Sequence, residues 1–234
     1  MIHFLQDHHM PPTPASIRAV LFDCDGVLVN SEGITNQVLC QLFNDAGWPL
    51  SYDECFAIFH GKAVRDERAR IEQATGQPLT EDWMARFYAL RNQRLGAELQ
   101  AIAGAVEAVR ELHQRFEGRI ACASGGDRLK LDLQLQKVGL YPLFEGRIFS
   151  GQELPRNKPH PDVYLAAARA LGIFPEQCVV VEDSVPGATA GLAAGATVIG
   201  YDPHGLYEAP MRAAGVRHFI TDMATLPAAV AALA

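Results

Sequence analysis

The sequence contains no C-x-x-C pair, no run of basic residues, no internal repeat and no apolar stretch long enough to cross a membrane. Each absence excludes a class of protein. Five scattered cysteines (Cys24, Cys40, Cys55, Cys122 and Cys178) outline neither a disulfide framework nor a structural zinc site. They read as reduced thiols, which fits the cytoplasm. A formal net charge of −7 without a basic cluster argues against nucleic acid or an anionic membrane surface as the partner. Residues Met1 to Ala15 hold histidines and three prolines but no apolar signal region, so they read as a flexible leader in which Met10 could be an alternative start. The whole chain has 234 residues, 49% of them hydrophobic, enough for one large domain or one domain carrying a smaller insert, and too few for a long solenoid.

What is present is an alternation. Short apolar runs at Ile17–Phe22, Arg119–Ala123, Cys178–Val181, Thr197–Tyr201 and His218–Ile220 are continuous in hydrophobicity, as strands covered on both faces must be. Helical patterns lie between them at Ala105–Phe116, Arg128–Val138, Pro161–Leu171 and Val185–Ala194, with Gly139, Gly172 and Gly195 in stop positions. The alanine-rich end reads as one more helix. This order predicts an α/β fold: a Rossmann-like open parallel sheet with helices on both faces and ligands at the carboxyl ends of its strands. From Ser31 to about Leu99 the alternation stops, giving helical periodicity broken at Gly47-Trp48-Pro49, His60-Gly61 and Gly76-Gln77-Pro78. The chain therefore divides into the leader (1–15), a core (16–30 and 100–234) and an inserted helical cap (31–99), hinged near Asn30 and Ala103-Gly104. Trp48, Trp83 and Phe87 read as the cap's own apolar core.

The chemistry lies at strand ends. Asp23 and Asp25 follow the first strand and Glu182 and Asp183 follow Cys178–Val181, so a parallel sheet brings up to four carboxylates to one edge. Their mutual repulsion calls for a hard divalent cation, and Mg²⁺ suits a few carboxylates, water and a substrate phosphate. Taken alone, Asp23-x-Asp25-Gly26 reads equally well as an acidic turn. Ser124-Gly125-Gly126 offers a hydroxyl and successive N–H groups to an anion, or simply caps a helix. Lys158, clamped between Asn157 and Pro159-His160-Pro161, is a cation of restricted reach or a solvated loop lysine. Cys24 faces away from Asp23 by strand alternation and reads as packing rather than as a nucleophile. The order of these pieces along the chain is what joins them.

With Phe22-Asp23-Cys24-Asp25-Gly26-Val27-Leu28-Val29-Asn30-Ser31-Glu32, Ala123-Ser124-Gly125, Lys158-Pro159-His160-Pro161-Asp162 and Val181-Glu182-Asp183-Ser184-Val185-Pro186-Gly187, the chain from Ile17 onward resembles the haloacid dehalogenase-like hydrolases. The likeness is to the phosphatase and phosphomutase branch with a helical cap after the first strand. It implies that Asp23 is the nucleophile forming an aspartyl-phosphate, and that Asp25 is the acid/base. Asp23, Glu182, Asp183 and the Asp25 backbone carbonyl would hold Mg²⁺. Ser124, the Gly125 N–H and Lys158 would bind the phosphoryl oxygens. The Asp at position 25 favours phosphate esters over halides or phosphonates. In mutases of this branch a His helps to orient the acid/base and a cap Arg grips the distal phosphate; here Thr35 and Val64 stand at those positions, which points to hydrolysis.

Gly61, Lys62 and Arg65 nearby could bind an anionic substrate group, or the two cations could be ordinary surface charges. Phe59-His60-Gly61-Lys62, Glu98-Leu99-Gln100-Ala101-Ile102 and Tyr201-Asp202-Pro203-His204 most resemble a phosphogluconate-type sugar phosphatase. The expectation is a Mg²⁺-dependent phosphatase of a small sugar or sugar-acid phosphate, acting as a monomer or weak homodimer. Its alternatives are a β-phosphoglucomutase-type mutase and, from another class, a non-catalytic binding module on the same fold.

Overall fold

The computed structural model describes residues 16–59 and 62–233; the leader, His60 and Gly61 lie outside the described residues. After β1 (Ala19–Phe22) come four helices, α1 (Glu32–Asp45), α2 (Tyr52–Phe59), α3 (Arg68–Thr75) and α4 (Glu81–Glu98). The alternation then resumes with α5 (Ala105–Arg115), β2 (Ile120–Ser124), α6 (Arg128–Lys137), α7 (Tyr141–Phe144) and β3 (Ile148–Ser150). It continues through α8 (Asp162–Leu171), β4 (Cys178–Glu182), α9 (Val185–Ala193), β5 (Thr197–Tyr201), α10 (Glu208–Ala214), β6 (His218–Ile220) and α11 (Leu226–Ala231).

The six strands pair in parallel in the order β3-β2-β1-β4-β5-β6. Successive side chains on a strand point to opposite faces, so each strand feeds two cores. Val20, Phe22, Ile120, Cys122, Val179 and Val181 pack with Val109 and Leu112 of α5, Leu131 and Leu135 of α6 and Val230 of α11. Ala19, Leu21, Ala121, Ala123, Cys178 and Val180 pack with Val163 and Tyr164 of α8, Ala188 and Ala190 of α9 and Met211 of α10. This is the three-layer α/β fold that the continuous apolar runs predict. The sheet has one strand more than the sequence reading gave: β3 is only three residues long, too short for its pattern to stand out.

Between β1 and α5 the described residues contain helices and no strand. Val38, Leu42, Phe43, Cys55, Phe59, Met84 and Phe87 bury against one another in a separate apolar cluster, with Trp48 and Trp83 partly buried on it. Phe43 is its centre, stacked on Trp83 at 5.4 Å and on Phe59 at 4.9 Å between ring centroids. Thr80 caps α4 by accepting from the Trp83 N–H, which fixes where the last helix of the segment begins.

Candidate active site

Parallel register determines which strand ends meet. Phe22 lies opposite Val181 on one side and Cys122 on the other, so Asp23 and Glu182, one residue on, and Ser124, two residues on, reach the same edge. Asp23 prolongs the ladder by donating its N–H to the Val181 carbonyl at 3.0 Å. The turn after it depends on Gly26, at φ +73°, where a Cβ would collide with Asp183 Oδ2; no other residue lets the two acidic loops approach so closely.

Oxygens of Asp23, Glu182 and Asp183 lie within 4.8 Å of one another, a set that could hold a metal ion. Of the four carboxylates expected to converge, Asp25 does not bring its side chain to this cluster. Its Oδ1 accepts from Ser31 Oγ and, at 2.8 Å, from Gln134 Nε2, and its Oδ2 pairs with Lys130 Nζ at 2.7 Å. Lys130 and Gln134 on α6 and Ser31 just before α1 relieve its charge. Sequence reasoning missed all three partners.

Glu182 is fully buried and saturated. Its Oε1 accepts from Lys158 Nζ at 2.6 Å and from the Tyr164 hydroxyl at 2.7 Å. Its Oε2 accepts from the Asp183 and Ser184 N–H groups and the Ser184 hydroxyl. Lys158 Nζ also stands 2.9 Å from the buried Oδ1 of Asp23, so one ammonium bridges the two acids. Lys158 is thus a buried cation between two acids, not a solvated loop lysine.

The electrostatics follow from burial and crowding. Burial, then the charges of Glu182 and Asp25, push the Asp23 carboxyl up to about 6 against the pull of Lys158. Burial with the neighbouring Glu182 and Asp23 raises Asp183 as well. Burial would raise Asp25 too, but Lys130, Ser31 and Gln134 outweigh it and bring that carboxyl down to about 2. Burial opposes the charge on Lys158, yet Asp23 and Glu182 hold it well above the ordinary lysine value.

Asp23, Asp25, Ser124, Gly125, Lys158 and Asp183 line one cavity of about 850 Å³ that lies between the sheet edge and the helical segment. The Ser124 loop is pinned from behind: Asn157 Nδ2 donates to the Gly125 carbonyl at 3.0 Å and Ser150 Oγ to the Gly126 carbonyl at 2.6 Å. From the helical side come Lys62, Arg65, Phe87 and Arg91. Lys62 and Arg65 are already paired, with Glu67 at 2.9 Å and with Glu81 at 2.6 Å. The buried Arg91, which the sequence did not single out, reaches across to Asp127 at the start of α6 at 2.8 Å. Gly61 lies outside the described residues. Cys24 is buried packing, its thiol directed to Gln134 Oε1 at 3.4 Å.

A parallel α/β fold with clustered acids and a buried lysine at its strand ends is built to receive a substrate whose anionic oxygens lie beside a carboxylate. The comparisons with known proteins agree. The family model of the haloacid dehalogenase-like hydrolases matches residues 17–195. A 6-phosphogluconate phosphatase of Escherichia coli K12 is 32% identical over 191 residues, covering 80% of this chain and 85% of its own. Among solved structures, a haloacid dehalogenase-like protein of Agrobacterium tumefaciens superposes with a TM-score of 0.78 at 34% identity, covering 93% of this chain and 99% of its own. A hydrolase of the same family from Deinococcus radiodurans, with bound phosphate and sodium, gives 0.75 at 38% identity over 94% of this chain and 97% of its own. The chain belongs to the haloacid dehalogenase-like hydrolases, and its place among them is with the phosphatases.

Proposed function

We propose that this enzyme is a Mg²⁺-dependent phosphatase that hydrolyses the phosphate ester of a small sugar or sugar acid through an aspartyl-phosphate on Asp23, with the helices between residues 31 and 99 as its cap. The observation that carries the reading is the meeting of Asp23, Asp183 and buried Lys158 at one wall of a single cavity, with the Glu182 carboxylate directly behind them. The donor set fits the metal: hard carboxylate oxygens from separate strand ends lie within 4.8 Å of one another, and two of the carboxyls are raised by burial and crowding. Asp23, Asp183 and the Asp25 main-chain carbonyl would hold it. Glu182, whose oxygens are already saturated, lends its charge from behind. The bound ion supplies the positive charge that lets a carboxylate approach a phosphoryl group.

The chain's own residues then divide the work. Lys158 is fixed by Glu182 at the nucleophile and neutralises charge on the transferring oxygens. Ser124 Oγ and the Gly125 N–H hold those oxygens in line with Asp23. Asp25, which its partners keep ionised in the free enzyme, must take up a proton before it gives one to the leaving oxygen, and it takes one again from the water that cleaves the aspartyl-phosphate. A sugar-acid substrate is supported by the relative from Escherichia coli and by the cations Lys62, Arg65 and Arg91 around the cavity. Thr35 and buried Val64 put no imidazole or guanidinium where a mutase of this branch carries them, which supports release to water.

The test is phosphate release from a panel of sugar, sugar-acid and aryl phosphates with Mg²⁺ or EDTA. Mg²⁺-dependent turnover, greatest on a six-carbon sugar or sugar-acid phosphate and absent in Asp23→Asn, is expected. Equal inactivity of the wild type and Asp23→Asn across the panel would favour the binding-module reading. Formation of an isomer from a hexose 1-phosphate and its bisphosphate would favour the mutase.

A further inference from the structure

Two buried polar residues one turn apart on α6 are given no role in the reaction proposed above. Gln134 is fully buried, and Lys130 is 8% exposed. They stand beside Leu131 and Leu135, which pack into the sheet's apolar core as helix residues at such positions ordinarily do. A buried ammonium and a buried amide are costly unless paired, and these two spend their bonds on one carboxylate. Gln134 Nε2 donates to Asp25 Oδ1 at 2.8 Å, while Lys130 Nζ contacts Asp25 Oδ2 at 2.7 Å. The direction of the Gln134 amide is set from its other end, where Oε1 accepts from the Cys24 thiol at 3.4 Å. The start of the helix is set too: Asp127 accepts from the Lys130 N–H at 2.9 Å and from Arg91 of α4 at 2.8 Å.

We propose that Lys130 and Gln134 are positioning residues of the phosphatase reaction, which hold the two oxygens of Asp25 in the plane from which it serves the leaving oxygen. The inference rests on the reading of Asp25 as the acid/base. Ser31 and Gln134 grip Oδ1 while Lys130 grips Oδ2, and two of these three donors come from the same rigid helix face, so rotation of the carboxylate must break bonds on both oxygens at once. In the first half-reaction the bond from phosphorus to the leaving oxygen breaks, the bond from Asp23 to phosphorus forms, and the proton of Asp25 goes to the leaving oxygen. In the second, water bonds to phosphorus, the bond from phosphorus to Asp23 breaks, and the water's proton goes to Asp25. Lys130 and Gln134 define where Asp25 sits in both halves.

The discriminating experiment is leaving-group dependence. With Mg²⁺ present, kcat/KM is compared on p-nitrophenyl phosphate, whose leaving group needs no proton, and on an alkyl or sugar phosphate, whose leaving group does. Lys130→Met and Gln134→Met, each close to its parent in size, should lose on the order of 10²-fold on the alkyl ester and only a fewfold on the aryl ester. Lys130→Arg should recover part of the loss. Equal loss on both esters, or none on either, overturns the proposal; should a Met variant not fold, Lys130→Gln is read by the same ratio. Asp25→Asn separates the two levels. A leaving-group-selective loss in Asp25→Asn without one in the α6 variants sinks this inference alone. No selective loss in Asp25→Asn sinks the acid/base reading beneath it.

Discussion

The sheet edge and the helical segment that faces it carry their charges in different ways. At the edge, Lys158 keeps 9% of its side chain exposed and is gripped by two acids, one of which is fully buried. Across the cavity Lys62 and Arg65 leave 45% and 43% of theirs exposed and pair with acids of their own segment. Charges in the first setting are desolvated, strongly coupled and cannot be exchanged singly. In the second they are screened by water and adaptable. The contrast fits the proposed division of labour, with chemistry at the sheet edge and selection among substrates on the helices.

Replacing one lysine from each setting puts that division under most strain. Lys158→Met should cost about 10³-fold in kcat on every phosphate ester and lower the melting temperature, because Glu182 is left buried without its cation. A loss confined to KM, with an unchanged melt, would mean that the edge is no more coupled than the far side.

The next effect is on stability without metal. The Asp23 carboxyl is raised to about 6, so over the range between that value and its ordinary 3.8 the folded state binds more protons than the unfolded one. Folding stability without divalent cation should therefore rise as the pH is lowered from roughly 7 to roughly 5, with Asp183 acting in the same direction. Asp25 acts oppositely, but its carboxyl sits near 2 and its contribution is lost only at more acid pH, below its ordinary 3.8. Thermal melts in EDTA read this slope. It should flatten in Asp23→Asn, and Mg²⁺ should stabilise the wild type more at neutral than at acid pH.

The smallest effects belong to the exposed side. Lys62→Ala and Arg65→Ala should each change KM for a sugar-acid phosphate by less than about tenfold, with kcat and the melt nearly unchanged. Steady-state kinetics on a sugar acid and a neutral sugar phosphate measure it, and a large loss in kcat from either would move chemistry onto the helices.

Much of this was legible in the amino-acid order, and the exceptions have physical reasons. Continuous apolar runs revealed five strands because both faces of the sheet are covered, while Ile148–Ser150 was too brief to register and α10, with Pro210 in its first turn, showed no usable period. Asp23, Ser124, Lys158 and Asp183 could be nominated because strand ends bring short segments to one edge. Lys130 and Gln134 could not, because in Arg128–Lys137 leucines alternate with polar residues at a period of two, which hides the polar face of a helix. Arg91 was hidden for another reason: which turn of α4 meets α6 depends on how the helical segment docks, and local pattern does not encode that. Lys62 and Arg65 were visible as cations, but their pairing with Glu67 and Glu81 was not.

The central claim is that phosphorus passes through Asp23 before it reaches water, and its most direct test is the stereochemical course at phosphorus with an isotopically chiral phosphate ester. Two successive in-line displacements predict overall retention of configuration. Inversion would show a single displacement by water and contradict the account.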